Sequence, residues 1–95
     1  MARKRHLVAY DIRDEKRLRA VATCMEGFGK RIQFSVFVSD LSTQELFAMR
    51  QALEGHMNLA EDSVMIIDLG AAGDSSGFTF VGPHHPLPTA EAVIV

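Results

Sequence analysis

The chain has 95 residues, of which 47% are hydrophobic and 23% charged, with a single cysteine. This composition fits one small globular domain that buries only about two-thirds of its unfolded surface, so a second copy would help to stabilise it. It argues against disorder, a disulfide framework and a membrane-spanning class.

The net charge of −2 conceals a segregation of sign. Residues 1–31 hold nine of the ten basic side chains against four acids, a balance of +5, while the remainder holds Arg50 against eight acids, a balance of −7. Two readings stand side by side: a surface that meets a polyanion such as a phosphate backbone, or a solvated basic helix face. The basic start Arg3-Lys4-Arg5 resembles the opening of a signal peptide, but the apolar run behind it stops at Asp11, too short for that purpose. A cytoplasmic protein is expected, with no membrane contact.

In chain order, His6 to Ile12 predicts a buried strand that ends in a carboxylate, Asp11, at the rim of a sheet. Asp14 is the better N-cap for the helix that follows, which leaves Asp11 without a capping role. Leu18, Val21, Ala22, Met25 and Phe28 form the apolar face of that helix, and Gly27 and Gly29 end it. Arg17 and Arg19 lie within its first two turns, so the rim that carries Asp11 also carries guanidinium groups. Cys24, between Ala22 and Met25, reads as a half-buried structural thiol.

Arg31 to Val38 alternates Ile32, Phe34, Val36 and Val38 on one face with Gln33, Ser35 and Phe37 on the other, which predicts a half-buried strand. Phe37 breaks the polar side and is expected to pack on another subunit or stack on a ligand. The run extends towards Asp40 and has room to bend into two segments. Ser42-Thr43-Gln44-Glu45 is a capping box and starts a second helix with Leu46, Met49, Leu53 and Met57 on its apolar face.

Ser63 to Leu69 is a further strand, and the glycine- and serine-rich stretch from 70 to 77 is a loop with no Walker ending. Phe78 to Val81 alternates as a short strand. Gly82 to Pro88 suits neither helix nor central strand, and His84 and His85 are expected in a solvated turn rather than as a metal pair. Ala92 to Val95 is an apolar, β-branched end that needs a sheet edge to pair with.

No Ser-His-Asp or Cys-His arrangement is readable, and His6 stands about 16 Å from Asp11 along an extended strand. One carboxylate makes half a metal site. Two-fold symmetry would supply the other half, placing one Mg2+ (or Mn2+) ion between Asp11 of both subunits, with Arg17, Arg19 or Arg31 holding the anion. The basic surface expected to bind nucleic acid is Arg13, Lys16, Arg17, Arg19, Lys30 and Arg31.

The combination Tyr10-Asp11-Ile12, Arg17-Leu18-Arg19, Arg31 to Phe37 and Glu61-Asp62-Ser63-Val64 resembles the CRISPR-associated Cas-two family of adaptation proteins. The likeness runs in order over residues 6 to 69 and is looser at Phe80-Val81-Gly82 and Val93-Ile94-Val95. It implies an α+β fold: a ferredoxin-like βαββαβ sandwich, with an antiparallel sheet and two helices on one face. It also implies a homodimer whose C-terminal strand is exchanged or added across the pair, residues 1–82 forming the domain and 83–95 the tail that completes the sheet.

The implied role is spacer acquisition. The dimer would bridge dimers of the Cas-one integrase and track the backbone of double-stranded DNA without reading its bases. The likeness further implies a metal-dependent endonuclease on RNA or DNA, with Asp11 as metal ligand and Tyr10, Arg31, Ser35 and Phe37 beside it in the catalytic set. The alternatives are a phosphodiesterase that acts on its own and a ferredoxin-like module that binds a small-molecule regulator. The module would leave the nine basic residues of the first third unexplained.

Overall fold

The computed structural model describes residues 2–88. Its elements run β1 (Lys4–Asp11), α1 (Glu15–Glu26), β2 (Lys30–Gln33), β3 (Val36–Leu41), α2 (Thr43–Glu54) and β4 (Ser63–Ala71). The four strands form one antiparallel sheet in the order β2-β3-β1-β4, so the chain has the ferredoxin-like arrangement expected of it. Among the described residues, no helix is long and apolar enough to cross a membrane.

Period-two alternation divides β1 between two faces. His6, Val8 and Tyr10 turn towards the helices, where Val8, Tyr10, Phe37 and Leu41 pack with Val21 and Met25 of α1 and Met49 and Leu53 of α2. Arg5, Leu7, Ala9 and Asp11 turn towards the other face. Both helices begin where local chemistry requires. Asp14 accepts the Arg17 backbone N–H at 2.9 Å, and Ser42 and Glu45 form a reciprocal capping box. Gly29 lies so close to β3 that a Cβ there would collide with Ser39 Oγ and the Val38 carbonyl, so the turn after α1 requires glycine.

The run from 31 to 40 does not continue as one strand. Phe34 and Ser35 form a two-residue turn, Gln33 pairs with Val36, and the alternation restarts beyond the turn. Phe37 therefore lies fully buried in the core of its own chain, and Phe34, expected on the apolar side, is 73% exposed.

Beyond β4 the chain crosses the face opposite the helices. Phe78 lines a hollow there with Leu7 and Leu69, and its ring stacks near that of Phe80, with centroids 6.0 Å apart. Residues 78–81 are thus not the short strand that their alternation suggests. Their aromatic rings cover a sheet face, and their backbone joins no strand ladder.

The crossing is fastened at Arg5, which has no exposed surface. Its Nε and Nη2 donate to the two carboxylate oxygens of Asp40, each at 2.9 Å. Its remaining N–H groups donate to the Asp74 carbonyl at 3.2 Å and to the Pro88 carbonyl. The apolar end Ala92 to Val95 lies outside the described residues.

Candidate nucleic-acid interface

Asp11 ends β1 opposite Ser63 of β4, at the rim from which the chain turns into α1. Its side chain is 64% exposed, and Arg13 Nη2 lies 3.4 Å from Asp11 Oδ2. The Tyr10 N–H donates to the Ser35 carbonyl at 3.1 Å, which draws the β2–β3 turn to the same rim. Ala9 pairs with Val36, the residue at which β3 leaves that turn.

The basic residues divide by environment. Arg13, Lys16 and Arg19 are exposed, Arg13 beside Asp11 on the turn into α1 and Lys16 and Arg19 in the first turns of that helix. Arg19 meets Glu15 at 3.5 Å in a pair so exposed that it adds little, and Lys16 makes no ion pair among the described residues. Lys30 is exposed at the start of β2, at the opposite end of that strand from the turn.

Arg17 is occupied. Its Nε donates to Asp62 Oδ2 at 2.8 Å, and its Nη2 donates to Glu61 Oε1 at 2.9 Å and to Asp62 Oδ1 at 3.3 Å. Asp62 also accepts the backbone N–H groups of Arg13 at 2.8 Å and Asn58 at 2.9 Å. The Arg17 hydrogen bond, supported by these N–H groups, holds the Asp62 carboxyl far below the usual carboxylate range, and Asp62 in turn raises Arg17. Asp62 therefore ties α1 to the entry of β4. Local pattern did not single it out, and its only trace in the sequence was the Glu61-Asp62-Ser63-Val64 stretch of the resemblance.

The residues expected around the acid fall into two groups. Asp11 and Ser35 share the rim. Tyr10, Arg31 and Phe37 cluster on the helix face, with the Arg31 guanidinium carbon 5.3 Å from the Phe37 ring centre and the Tyr10 and Phe37 centroids 6.2 Å apart. Tyr10 Oη and Arg31 Nε are buried without a hydrogen-bond partner. Burial pushes the Tyr10 phenol up, and the nearby Arg31 charge offsets only part of that shift. Alternation along β1 puts the sheet between this cluster and the Asp11 carboxylate.

Among the described residues, no three His, Cys, Asp or Glu side chains come together as a metal cage. Asp11 offers one exposed carboxylate. That fits a hard cation which keeps most of its waters, provided that a second carboxylate comes from another copy. Burial raises the Cys24 thiol, in keeping with a structural role. His84 and His85 are exposed just after a bend at residues 82–83, in keeping with a solvated turn, and the His84 ring stacks on Phe80 with centroids 3.8 Å apart.

The family described as CRISPR associated protein Cas2 matches residues 4–76. A CRISPR-associated endoribonuclease Cas2 from Geobacter sulfurreducens is 42% identical over 67 residues, which is 70% of either chain. Another from Rhodospirillum rubrum is 42% identical over 69 residues, covering 73% of this chain and 68% of its own. Among solved structures, a hypothetical protein from Thermus thermophilus matches with a TM-score of 0.78 and 28% identity, over 90% of this chain and 98% of its own. Streptococcus pyogenes Cas2 matches with a TM-score of 0.65 and 32% identity, over 70% of this chain and 86% of its own.

Proposed function

The chain belongs to the CRISPR-associated Cas2 family, and from that premise we propose that it serves CRISPR adaptation in the cytoplasm as a homodimeric adaptor. The dimer holds duplex DNA by its backbone and bridges dimers of the Cas-one integrase. The observation that carries this reading is the exposed set Arg13, Lys16 and Arg19 on the turn into α1 and its first turns, whose charge is not consumed by the core. Phosphate contacts of this kind supply affinity and register without sequence information. The acidic remainder of the chain offers the integrase a separate docking face. The tail from residue 83 completes the sheet of the pair, its last part, 89–95, lying outside the described residues.

The second reading is a metal-dependent endonuclease, favoured by the endoribonuclease names of the relatives and by the exposed Asp11 carboxylate. The chemistry that a Mg2+ or Mn2+ ion supplies when held by Asp11 of both subunits is activation of water against a phosphodiester. Arg13 orients the phosphate, and Asp11 is the ligand that each chain contributes. Tyr10, Arg31 and Phe37 act on this rim only through the sheet that supports it.

Asp11→Ala separates the two. The adaptor reading expects spacer acquisition in cells to continue while any cleavage by the pure protein is lost. Loss of acquisition together with cleavage, in a variant that is still folded and dimeric, assigns the work to the nuclease.

A further inference from the structure

Asp62 has no exposed side-chain surface and stands at the entry of β4, one residue before Ser63, which pairs with Asp11 in the sheet. Both of its oxygens are fully engaged. Oδ1 accepts the Arg13 backbone N–H at 2.8 Å and Arg17 Nη2 at 3.3 Å, while Oδ2 accepts Arg17 Nε at 2.8 Å and the Asn58 N–H at 2.9 Å. Stability alone is a weak reason for this arrangement, because a buried ion pair is often no better than an apolar pair of the same volume. An apolar pair, however, accepts no backbone N–H. One of the two N–H groups that Asp62 accepts belongs to Arg13, in the short turn between β1 and α1. On either side of Arg13 the turn is also held: Ile12 packs against the core, and the Asp14 carboxylate and carbonyl accept the N–H groups of Arg17 and Leu18 at 2.9 and 2.8 Å. The backbone of Arg13 is thus pinned while its side chain projects into solvent beside Asp11.

We propose that Asp62 is a positioning residue for the nucleic-acid rim: it fixes the backbone of Arg13, so that the exposed guanidinium meets a phosphate from a preset turn. The inference rests on the reading of Arg13 as a phosphate contact and adds how that contact is aimed. Asp62 itself does not touch the polyanion, since it is buried and its charge is balanced by Arg17. A side chain that starts from a fixed backbone has less freedom to lose on binding, and its contact contributes more affinity. The sign of the effect separates this role from plain electrostatics. Removal of an acid near a bound phosphate tightens binding by Coulomb attraction, whereas loss of the anchor weakens it.

The experiment measures the affinity for a blunt DNA duplex, as a function of salt, for the wild type, Arg13→Ala, Asp62→Ala and the double variant. Arg13→Ala weakens wild-type binding and makes the salt slope shallower by about one. Asp62→Ala weakens binding by about fivefold although it removes a negative charge, and adding Arg13→Ala to it costs less than about twofold more. Ser42→Ala, which destabilises the fold away from this turn, binds as the wild type does. Unchanged or tighter binding by Asp62→Ala overturns the role, as does weakening by Ser42→Ala equal to that by Asp62→Ala. An Arg13→Ala cost that is the same with and without Asp62 also overturns it, leaving Asp62 with a structural part only. No effect of Arg13→Ala on the wild type overturns the underlying reading of Arg13 as well. Should Asp62→Ala fail to fold, amide hydrogen exchange of the wild type decides: the Arg13 N–H is protected in the free protein. Free exchange of that N–H until duplex is added overturns the role, because the nucleic acid and not Asp62 would then order the turn.

Discussion

Two regions of this molecule hold the same guanidinium group in opposite circumstances. At the sheet face opposite the helices, Arg5 is fully buried, with both oxygens of Asp40 and two carbonyls of the crossing segment around it. At the Asp11 rim, Arg13 and Arg19 keep 66% and 69% of their side-chain surface in solvent. The difference lies in what each faces. Arg5 stands directly opposite Asp40 in the register of β1 and β3, and the segment after β4 closes over both. The rim arginines meet only exposed carboxylates, whose attraction water screens. The core consumes the first kind of charge and leaves the second kind in solvent.

The largest way to break this contrast is to remove Arg5. Arg5→Met strands the buried Asp40 carboxylate and should lower the unfolding free energy by about 3–5 kcal/mol in urea denaturation. Adding Asp40→Leu should recover most of that loss, because the pair balances its own desolvation. Ser42→Ala gives a smaller reference value for a purely local contact, about 1 kcal/mol from the lost cap of α2.

Acid sharpens the contrast between carboxylates engaged by the fold and those left at the rim. Hydrogen bonds from Arg3 and from the Ser42 backbone lower Glu45 from its usual value near 4.5 to about 2. Its contribution is therefore complete above pH 4.5 and is lost as the pH falls towards 2, with Asp62 adding to the loss at still lower pH. Thermal midpoints measured across this range should drop, and Glu45→Gln should flatten the part of the drop that belongs to Glu45. The smallest effect belongs to the rim. Arg13→Ala, Lys16→Ala and Arg19→Ala should each change stability by less than about 0.5 kcal/mol.

Much of this architecture is legible by short-range rules. The Asp14 cap, the Ser42 capping box, the apolar stripe of α1 and the buried run of β1 each follow from neighbouring residues, and each is where those rules place it. The run from 31 to 40 has the room for two segments that the structure uses, but the position of the β2–β3 turn is not legible, because it is Phe-Ser and carries no Gly, Asn or Asp to interrupt an unbroken alternation. Phe34 consequently lies in the turn on neither sheet face, and the side of Phe37 that the pattern marks as polar is the one that meets the helices. The role of Arg17 is hidden for another reason: its partner Asp62 is 45 residues away, and no local spacing connects them. Charge segregation marks which third of the chain is basic, but only the fold separates the cations it has already used.

The central claim is that the exposed cations of the rim hold a nucleic-acid backbone, and the salt dependence of duplex binding tests it most directly. For the wild-type protein, the logarithm of the affinity should fall steeply and linearly with the logarithm of salt concentration, with little change between duplex sequences. The Arg13→Ala, Lys16→Ala, Arg19→Ala triple variant should bind more weakly, with a slope shallower by about one for each phosphate contact removed. A wild-type slope near zero, or a triple variant whose slope matches the wild type, would contradict the account.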